Sequence, residues 1–252
     1  MSIVAIVRGV SASFDRALAS VAPDPPIDVA RARAQHAAYV AALRAAGAEV
    51  VVLPAEDALP DACFVEDCAV VAGGVALIAR PGAASRRDEP PAVRAALAAR
   101  LPVHDMAAPA TLDGGDCLLL GLRLYIGRSS RTSAEGIARA RAVFAEVGVE
   151  VIEVAVGDAL HLKSVCSPLG DDTVLIAEGA LPPGTFGSAR VLTVSEPAAA
   201  NVVVIGSHAL IPAGFPSAAR AVAGAGLSPH AIDNSELRKA DSALTCLSIL
   251  LG

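Results

Sequence analysis

The chain has 252 residues, 54% of them apolar and 18% charged, with 20 basic against 26 acidic side chains. Such a length suits one large domain that buries roughly 70–75% of its unfolded surface, so no disulfide or metal staple is required. The apolar share excludes intrinsic disorder, and the net charge of −6 argues against nucleic acid as a partner while suiting a small cationic ligand. With no Trp and 3% aromatics, the core must be built from Ala, Val, Leu and Ile.

Mean hydropathy is positive at +0.56, yet the apolar residues are not contiguous. The longest run, residues 68–79, contains Gly73-Gly74 and stops at Arg80, well short of the roughly 20 residues of a membrane helix. Residues 1–7 lack a basic region and meet Arg8 at once, unlike a signal peptide. Five cysteines, an odd number without zinc-type pairs, read as free thiols in a reducing compartment. A soluble cytoplasmic protein with no membrane partner is the expectation. Only Lys163 and Lys239 are lysines, which genomic composition explains.

In chain order, residues 3–6 form an apolar strand. Pro26 sits near the first turn of a helix over residues 30–46, which Gly47 stops, and residues 50–53 form a short buried strand. A unit of apolar hairpin, helix and apolar strand then recurs. Its first copy has strands at 68–71 and 75–79 about Gly73-Gly74, then a helix over 91–99. The second has 117–120 and 124–127 about Gly121, a helix over 134–147 and a strand over 149–154. A third starts at Leu162, turns at Gly170-Asp171 and runs through 174–177 into a poorer helix. The fourth has 202–205 and 209–211, a helix over 216–223 and a return near Ala231. Residues 244–251 are positioned to close a ring with residues 3–6. A period of about 40–50 residues favours a pseudo-symmetric α/β ring. A doubly wound sheet fits less well, because its parallel strands need crossovers rather than hairpins.

Four polar islands interrupt the apolar strands. Asp61 is followed by the adjacent Glu66 and Asp67, which repel unless a cation binds between them; a solvated strand end is the alternative. Asp113-Gly-Gly-Asp116 permits positive φ and close backbone approach, so both carboxylates can turn inward, though Asp-Gly is also an ordinary turn. His161-Leu-Lys163-Ser164 offers an acid/base or a structural histidine. Asp241-Ser-Ala-Leu-Thr-Cys246-Leu-Ser248 places a thiol that is either packing or a nucleophile. No phosphate loop, dinucleotide fingerprint or zinc motif is present. Cys, His and Asp on separate segments fit nucleophile, acid/base and orienting carboxylate.

Together these islands resemble the dimethylarginine dimethylaminohydrolase family of the guanidine-modifying pentein superfamily. The resemblance runs nearly end to end, from Arg8, Ser13-Phe14 and Ala17-Leu18 through Phe64-Val-Glu-Asp67, Arg80-Pro-Gly82 and Ser85-Arg86-Arg87. It continues through Leu112-Asp-Gly-Gly-Asp116, Arg131-Thr132, His161-Leu-Lys-Ser164 and Asn201 to Pro212-Ala-Gly-Phe-Pro216, Ser235-Glu236 and residues 241–248. It implies a five-bladed α/β propeller, a single catalytic domain over residues 1–252 made of five ββαβ-type repeats.

By the same resemblance Cys246 is the nucleophile, His161 the general acid/base and Asp113 the carboxylate that orients it. Asp61, Glu66 and Asp67 hold the guanidinium, and Arg86 and Arg131 the substrate carboxylate. Leu18, within a lid segment, and Ala240 contact substrate through their backbones. The implied reaction hydrolyses Nω-methylated arginine to citrulline and methylamine or dimethylamine through a covalent thiouronium, without cofactor or metal. Both monomer and homodimer fit. Lys163 stands where arginine deiminases of the superfamily carry a second guanidinium-binding carboxylate, which favours methylated substrates. Cys63, Cys68, Cys117 and Cys166 read as packing thiols.

Three positions depart from the family pattern: Arg128 replaces an uncharged residue, Ser133 an Asn and Ser242 a Gly. The first two bear on the carboxylate end of the site. Two other readings stay open: another guanidine hydrolase such as an arginine deiminase, and a non-catalytic pentein-type binding protein.

Overall fold

The computed structural model describes residues 3–252. Its first blade holds β1 (Val4–Arg8), α1 (Val29–Ala45) and β2 (Glu49–Leu53). The second holds β3 (Ala69–Ala72), β4 (Val75–Ile78), α2 (Pro90–Ala98) and β5 (Val103–Asp105). The third holds β6 (Cys117–Leu120), β7 (Arg123–Arg128), α3 (Ala134–Ala145) and β8 (Glu150–Ala155). The fourth has β9 (Cys166–Pro168), β10 (Thr173–Ala177) and β11 (Arg190–Val194). The fifth has β12 (Val203–Ile205), β13 (His208–Pro212), α4 (Pro216–Gly224) and β14 (Ser228–Ile232), after which α5 (Ser235–Arg238) leads to β15 (Ile249–Leu251).

Each blade is a three-stranded sheet whose middle strand runs antiparallel to the inner strand and parallel to the outer one. β15 supplies the inner strand of the first blade, with Val4 opposite Leu251 and Ile6 opposite Ile249. The two ends of the chain thus close the expected five-bladed ring.

Because side chains alternate across a strand, a middle strand between two neighbouring blades must be apolar on both faces. Ala5 and Val7 enter the cluster shared with the fifth blade, while Ile6 enters the one shared with the second. Ala76 and Ile78 face that same cluster, and Leu77 faces the third blade. The alternation repeats for Leu124 and Ile126 against Tyr125, for Val174 and Ile176 against Leu175, and for Ala209 and Ile211 against Leu210. The core is therefore five clusters between blades. Each fully buried Leu or Ile in them contributes about 1.5–3 kcal/mol.

The helices follow the same logic. In α1 the buried residues Ala32, Gln35, His36, Tyr39, Val40 and Leu43 recur at three- and four-residue steps, one face of a helix. The Asp28 carboxylate caps its start by accepting from the Arg31 amide, so the helix begins beyond Pro26 rather than beside it. Gly47, at φ 96°, ends it. β2 is half exposed rather than buried, with Val52 on the surface, because it is the outer strand of its blade. No helix forms between β10 and β11. Gly179, Gly184 and Gly187 take positive φ there, and Pro182-Pro183 forbids continuous backbone hydrogen bonding. Phe186 covers the gap edge-on to Tyr125, ring centres 4.9 Å apart.

Candidate active site

One turn of 3-10 helix precedes each inner strand: Val65–Cys68, Gly114–Asp116, Leu162–Ser164, Pro197–Ala200 and Thr245–Leu247. The inner strands surround the axis, so these turns converge on one end of it, and all four polar islands lie on or beside them.

His161 caps the third of these turns. Its Nε2 lies 3.1 Å from Asp113 Oδ2, and the other Asp113 oxygen accepts from the Gly82 amide at 2.8 Å. Asp113 is wholly buried, so it fixes the ring's orientation from behind. The Asp67 carboxylate accepts from the Gly115 amide at 2.9 Å and from Arg86 Nη1 at 2.6 Å. Neither Gly114 nor Gly115 adopts the positive φ expected of a turn. Close approach is what demands glycine here: a Cβ on Gly115 would fall 2.8 Å from His161 Nδ1 and 2.9 Å from Asp67 Oδ1.

Cys246 is half-buried, and its Sγ accepts from the Ala243 amide at 3.5 Å. Burial, together with the charges of Glu66 and Asp67, pushes its thiol up to about 12. A bound cation would counter those same charges and favour the thiolate. Burial opposes protonation of His161, but Asp67, Asp113 and Asp116 outweigh it and raise the imidazole to about 9. At neutral pH it therefore carries a proton to donate. For Asp67 burial is outweighed by Arg86 and His161, which hold its carboxyl down at about 2.

A cavity of about 160 Å³ is lined by Leu18, Asp61, Asp67, Arg86, Arg131, His161, Ala240 and Cys246. A second, of about 320 Å³, shares His161 and Cys246 with it and adds Glu66, Lys163 and Thr245. With Asp113 behind His161, all ten residues singled out in the sequence come together. Their engagement differs, however. Arg86 is buried and grips Glu89 at 3.0 and 2.7 Å, Asp67 at 2.6 Å and the Phe64 carbonyl at 3.1 Å, leaving a single N–H uncommitted. Arg131 makes no side-chain hydrogen bond among the described residues, and its nearest carboxylate, Asp113, is 4.0 Å away. Both Glu66 oxygens are engaged, one by Lys163 Nζ at 2.6 Å and the other by the Thr245 hydroxyl at 2.8 Å. Asp61 accepts from the Leu18 amide at 3.0 Å.

Ser133 and Arg128 lie away from these cavities. The Ser133 hydroxyl caps α3 by accepting from the Gly136 amide at 3.1 Å. Arg128 pairs with Glu153 of the neighbouring strand at 3.8 Å, both half exposed. Of the three departures only Ser242 lines the site. Three further residues support the site: Asp116 and Asp241 lie in the polar islands without a role assigned to them, and Glu89 lies outside the islands. Asp116 accepts from the Leu162 amide at 2.9 Å and from Ser129 and Thr132 hydroxyls at 2.6 Å each, fixing the segments that bear His161 and Arg131. Glu89 anchors Arg86. Asp241, at φ 52°, where non-glycine residues are uncommon, accepts from the Ser20 hydroxyl at 2.6 Å and ties down the segment that carries Leu18. One carboxylate oxygen each of Asp67 and Asp113 and a ring nitrogen of His161 also lie within 4.8 Å of one another. Arg86 and the Gly82 and Gly115 amides already occupy those carboxylates, so they serve to hold the imidazole.

A five-bladed α/β propeller with a thiol, a carboxylate-backed imidazole and buried acidic residues at one end of its axis defines a guanidine-modifying pentein. Residues 11–197 match the family described as N,N dimethylarginine dimethylhydrolase, eukaryotic. The chain is 41% identical to an N(G),N(G)-dimethylarginine dimethylaminohydrolase of Streptomyces coelicolor, over 98% of this chain and 96% of that one. It is 32% identical to the Pseudomonas aeruginosa protein of that name, over 88% and 89% respectively. A crystal structure of the Pseudomonas aeruginosa enzyme, a mutant complexed with citrulline, superposes with a TM-score of 0.94 at 30% identity, both chains fully covered. The N-terminal domain of a cyanobacterial arginine dihydrolase shares the fold, with a TM-score of 0.87 at 17% identity over 99% of this chain and 98% of that one. The chain belongs to the dimethylarginine dimethylaminohydrolase family.

Proposed function

We propose that residues 1–252 form a single catalytic domain that hydrolyses asymmetric dimethylarginine and monomethylarginine to L-citrulline plus dimethylamine or methylamine. The observation that carries this reading is the convergence of Cys246, protonated His161 and Asp67 in one cavity that also holds the loosely engaged Arg131.

A guanidinium carbon is a weak electrophile, so a strong nucleophile and a protonated leaving group are both needed. The substrate cation, held against Asp67 and Glu66, offsets the charges that keep the Cys246 thiol protonated, and the released proton passes to solvent. The thiolate forms an S–C bond, giving a neutral tetrahedral adduct. His161 protonates the methylated nitrogen, the C–N bond breaks, and dimethylamine leaves behind a cationic thiouronium. Neutral His161 then takes a proton from water as its oxygen adds to carbon. Collapse of that adduct expels the Cys246 sulfur, which regains its proton as the adduct's hydroxyl loses one, and leaves neutral citrulline.

Arg131 is the principal anchor for the substrate carboxylate, and Arg86 contributes its one free N–H and its positive field. Leu18 and Ala240 frame the amino-acid end, and Asp61 lies between Leu18 and the charged pocket. A small molecule is the sole partner in this reading, and five unpaired cysteines suit a cytoplasmic location. Lys163 bears on the choice of substrate. Its ammonium occupies Glu66 and supplies a positive charge where an unmethylated guanidinium nitrogen would need another acceptor, so free arginine is disfavoured. Initial rates on asymmetric dimethylarginine, monomethylarginine and arginine test this directly. Faster turnover of arginine would replace the proposal with a deiminase.

A further inference from the structure

The five turns at the active end are tied to one another in a closed circuit. Asp67 accepts from Gly115 at 2.9 Å, and Asp116 from Leu162 at 2.9 Å. Asn201 Nδ2 donates to the Lys163 carbonyl at 2.9 Å and the Thr245 hydroxyl at 3.0 Å, while its Oδ1 accepts from the Thr245 amide at 3.0 Å. The Thr245 hydroxyl returns to Glu66 at 2.8 Å. Asn201 is 2% exposed and is the only side chain of the fourth-to-fifth blade junction in this circuit. It holds both backbone and side chain of the residue before Cys246, and the backbone two residues after His161. A buried amide that satisfies three partners at once fixes their separation, because losing any one leaves a polar group unpaired.

We infer that Asn201 is a positioning residue that sets the Cys246 turn against the His161 turn, an inference that builds on the hydrolase reading. Asn201 borders the larger cavity, but both its N–H groups and its carbonyl are engaged by Lys163 and Thr245, so it acts through them. Its effect reaches the reaction through the distance between sulfur and imidazole and through the orientation of Thr245 toward Glu66.

The test uses the full chain with N201A and N201D, each first checked for a cooperative thermal transition above the assay temperature. Three readouts follow: kcat and KM for asymmetric dimethylarginine, and the pH profile of Cys246 carboxamidomethylation by iodoacetamide, followed by peptide mass. N201A is expected to lower kcat about ten- to a hundredfold with KM changed by less than about threefold, as for a misaligned reacting pair. N201D keeps the acceptor for the Thr245 amide, so it recovers part of kcat. Its added negative charge moves the alkylation profile to higher pH. Wild-type kcat and an unmoved profile in both variants, or a loss confined to KM, would overturn the inference. If N201A fails to fold, N201D decides alone by the same criteria. If the wild-type enzyme is inert on methylated arginines, the substrate reading fails, whereas the alkylation profiles still judge Asn201.

Discussion

The two ends of the propeller axis are built from the same five inner strands, yet they differ in kind. At one end the turns that lead into those strands carry Glu66, Asp67, Asp116, Asn201 and Thr245 in a closed polar circuit, with His161 and Cys246 held beside it. Beyond it the strands themselves enclose a cavity of about 420 Å³, lined by Val71, Leu119, Val204 and Leu250 among others. Glu66, Lys163 and Thr245 line this cavity and the active-site cavity alike, so the Lys163–Glu66 pair forms the floor between them. The repeat sets where five chain segments meet, and the chemistry is written into the few residues just before each inner strand. A polar group there is held because its neighbours from adjacent blades satisfy it; the inner strands are mainly apolar, and their buried Ser167 is kept by the same kind of neighbour, donating to the Ala200 carbonyl and accepting from the Val202 amide.

The sharpest way to break this contrast is to damage each end in turn. Asp113→Asn keeps the shape behind His161 but removes the charge that holds its proton and tautomer, and a kcat loss of roughly 10²–10⁴-fold is expected by analogy with orienting carboxylates elsewhere. Steady-state kinetics with the fold verified by circular dichroism would check it. Arg131→Ala should raise KM about 10–100-fold while sparing kcat, with Arg131→Lys recovering only part because an ammonium lacks the guanidinium fork. Equal KM values for the two variants would remove Arg131 from substrate binding.

The pH profile sharpens the account of charge at the active end. His161 must be protonated to release the amine, so kcat should fall as pH rises through about 9. Asp67 is the largest of the charges that raise it, and Asp67→Asn should therefore move that alkaline limb to lower pH. An unmoved limb would mean another group titrates there. At the far end, Leu119→Ala should cost about 1 kcal/mol of stability, a fall of a few degrees in Tm, with kcat unchanged. A change in kcat without a change in Tm would show that the apolar end takes part in catalysis.

Much of this organisation is legible in the amino-acid sequence. Middle strands buried on both faces read as unbroken apolar runs, and ring closure follows from apolar segments at the two ends of the chain. Local reading falters where a neighbour decides the outcome. Val50–Leu53 look buried because the residues are apolar, but position in the blade makes that strand an outer edge. Helix spacing cannot survive Pro182-Pro183 and three positive-φ glycines, though the recurring unit suggested a poorer helix there. Cys, His and adjacent carboxylates are conspicuous within apolar strands and so mark candidates, whereas their roles, and Leu18, Arg86, Arg131 and Ala240 altogether, follow from the family resemblance. Asn201 and Asp116 draw their importance from partners far along the chain, such as Thr245 and Leu162, and Glu89 draws its importance from the burial of Arg86 three residues before it. Ser133 illustrates the reverse: its place beside Arg131 suggested substrate contact, whereas its hydroxyl starts α3.

The central claim is that Cys246 forms a covalent thiouronium with a methylated arginine. Acid quenching of the enzyme during turnover of asymmetric dimethylarginine, followed by peptide mass spectrometry, tests it most directly. The expected result is an adduct confined to the peptide that contains Cys246, lost in Cys246→Ser together with citrulline release. Continued citrulline release by Cys246→Ser, or an adduct on another residue, would contradict it.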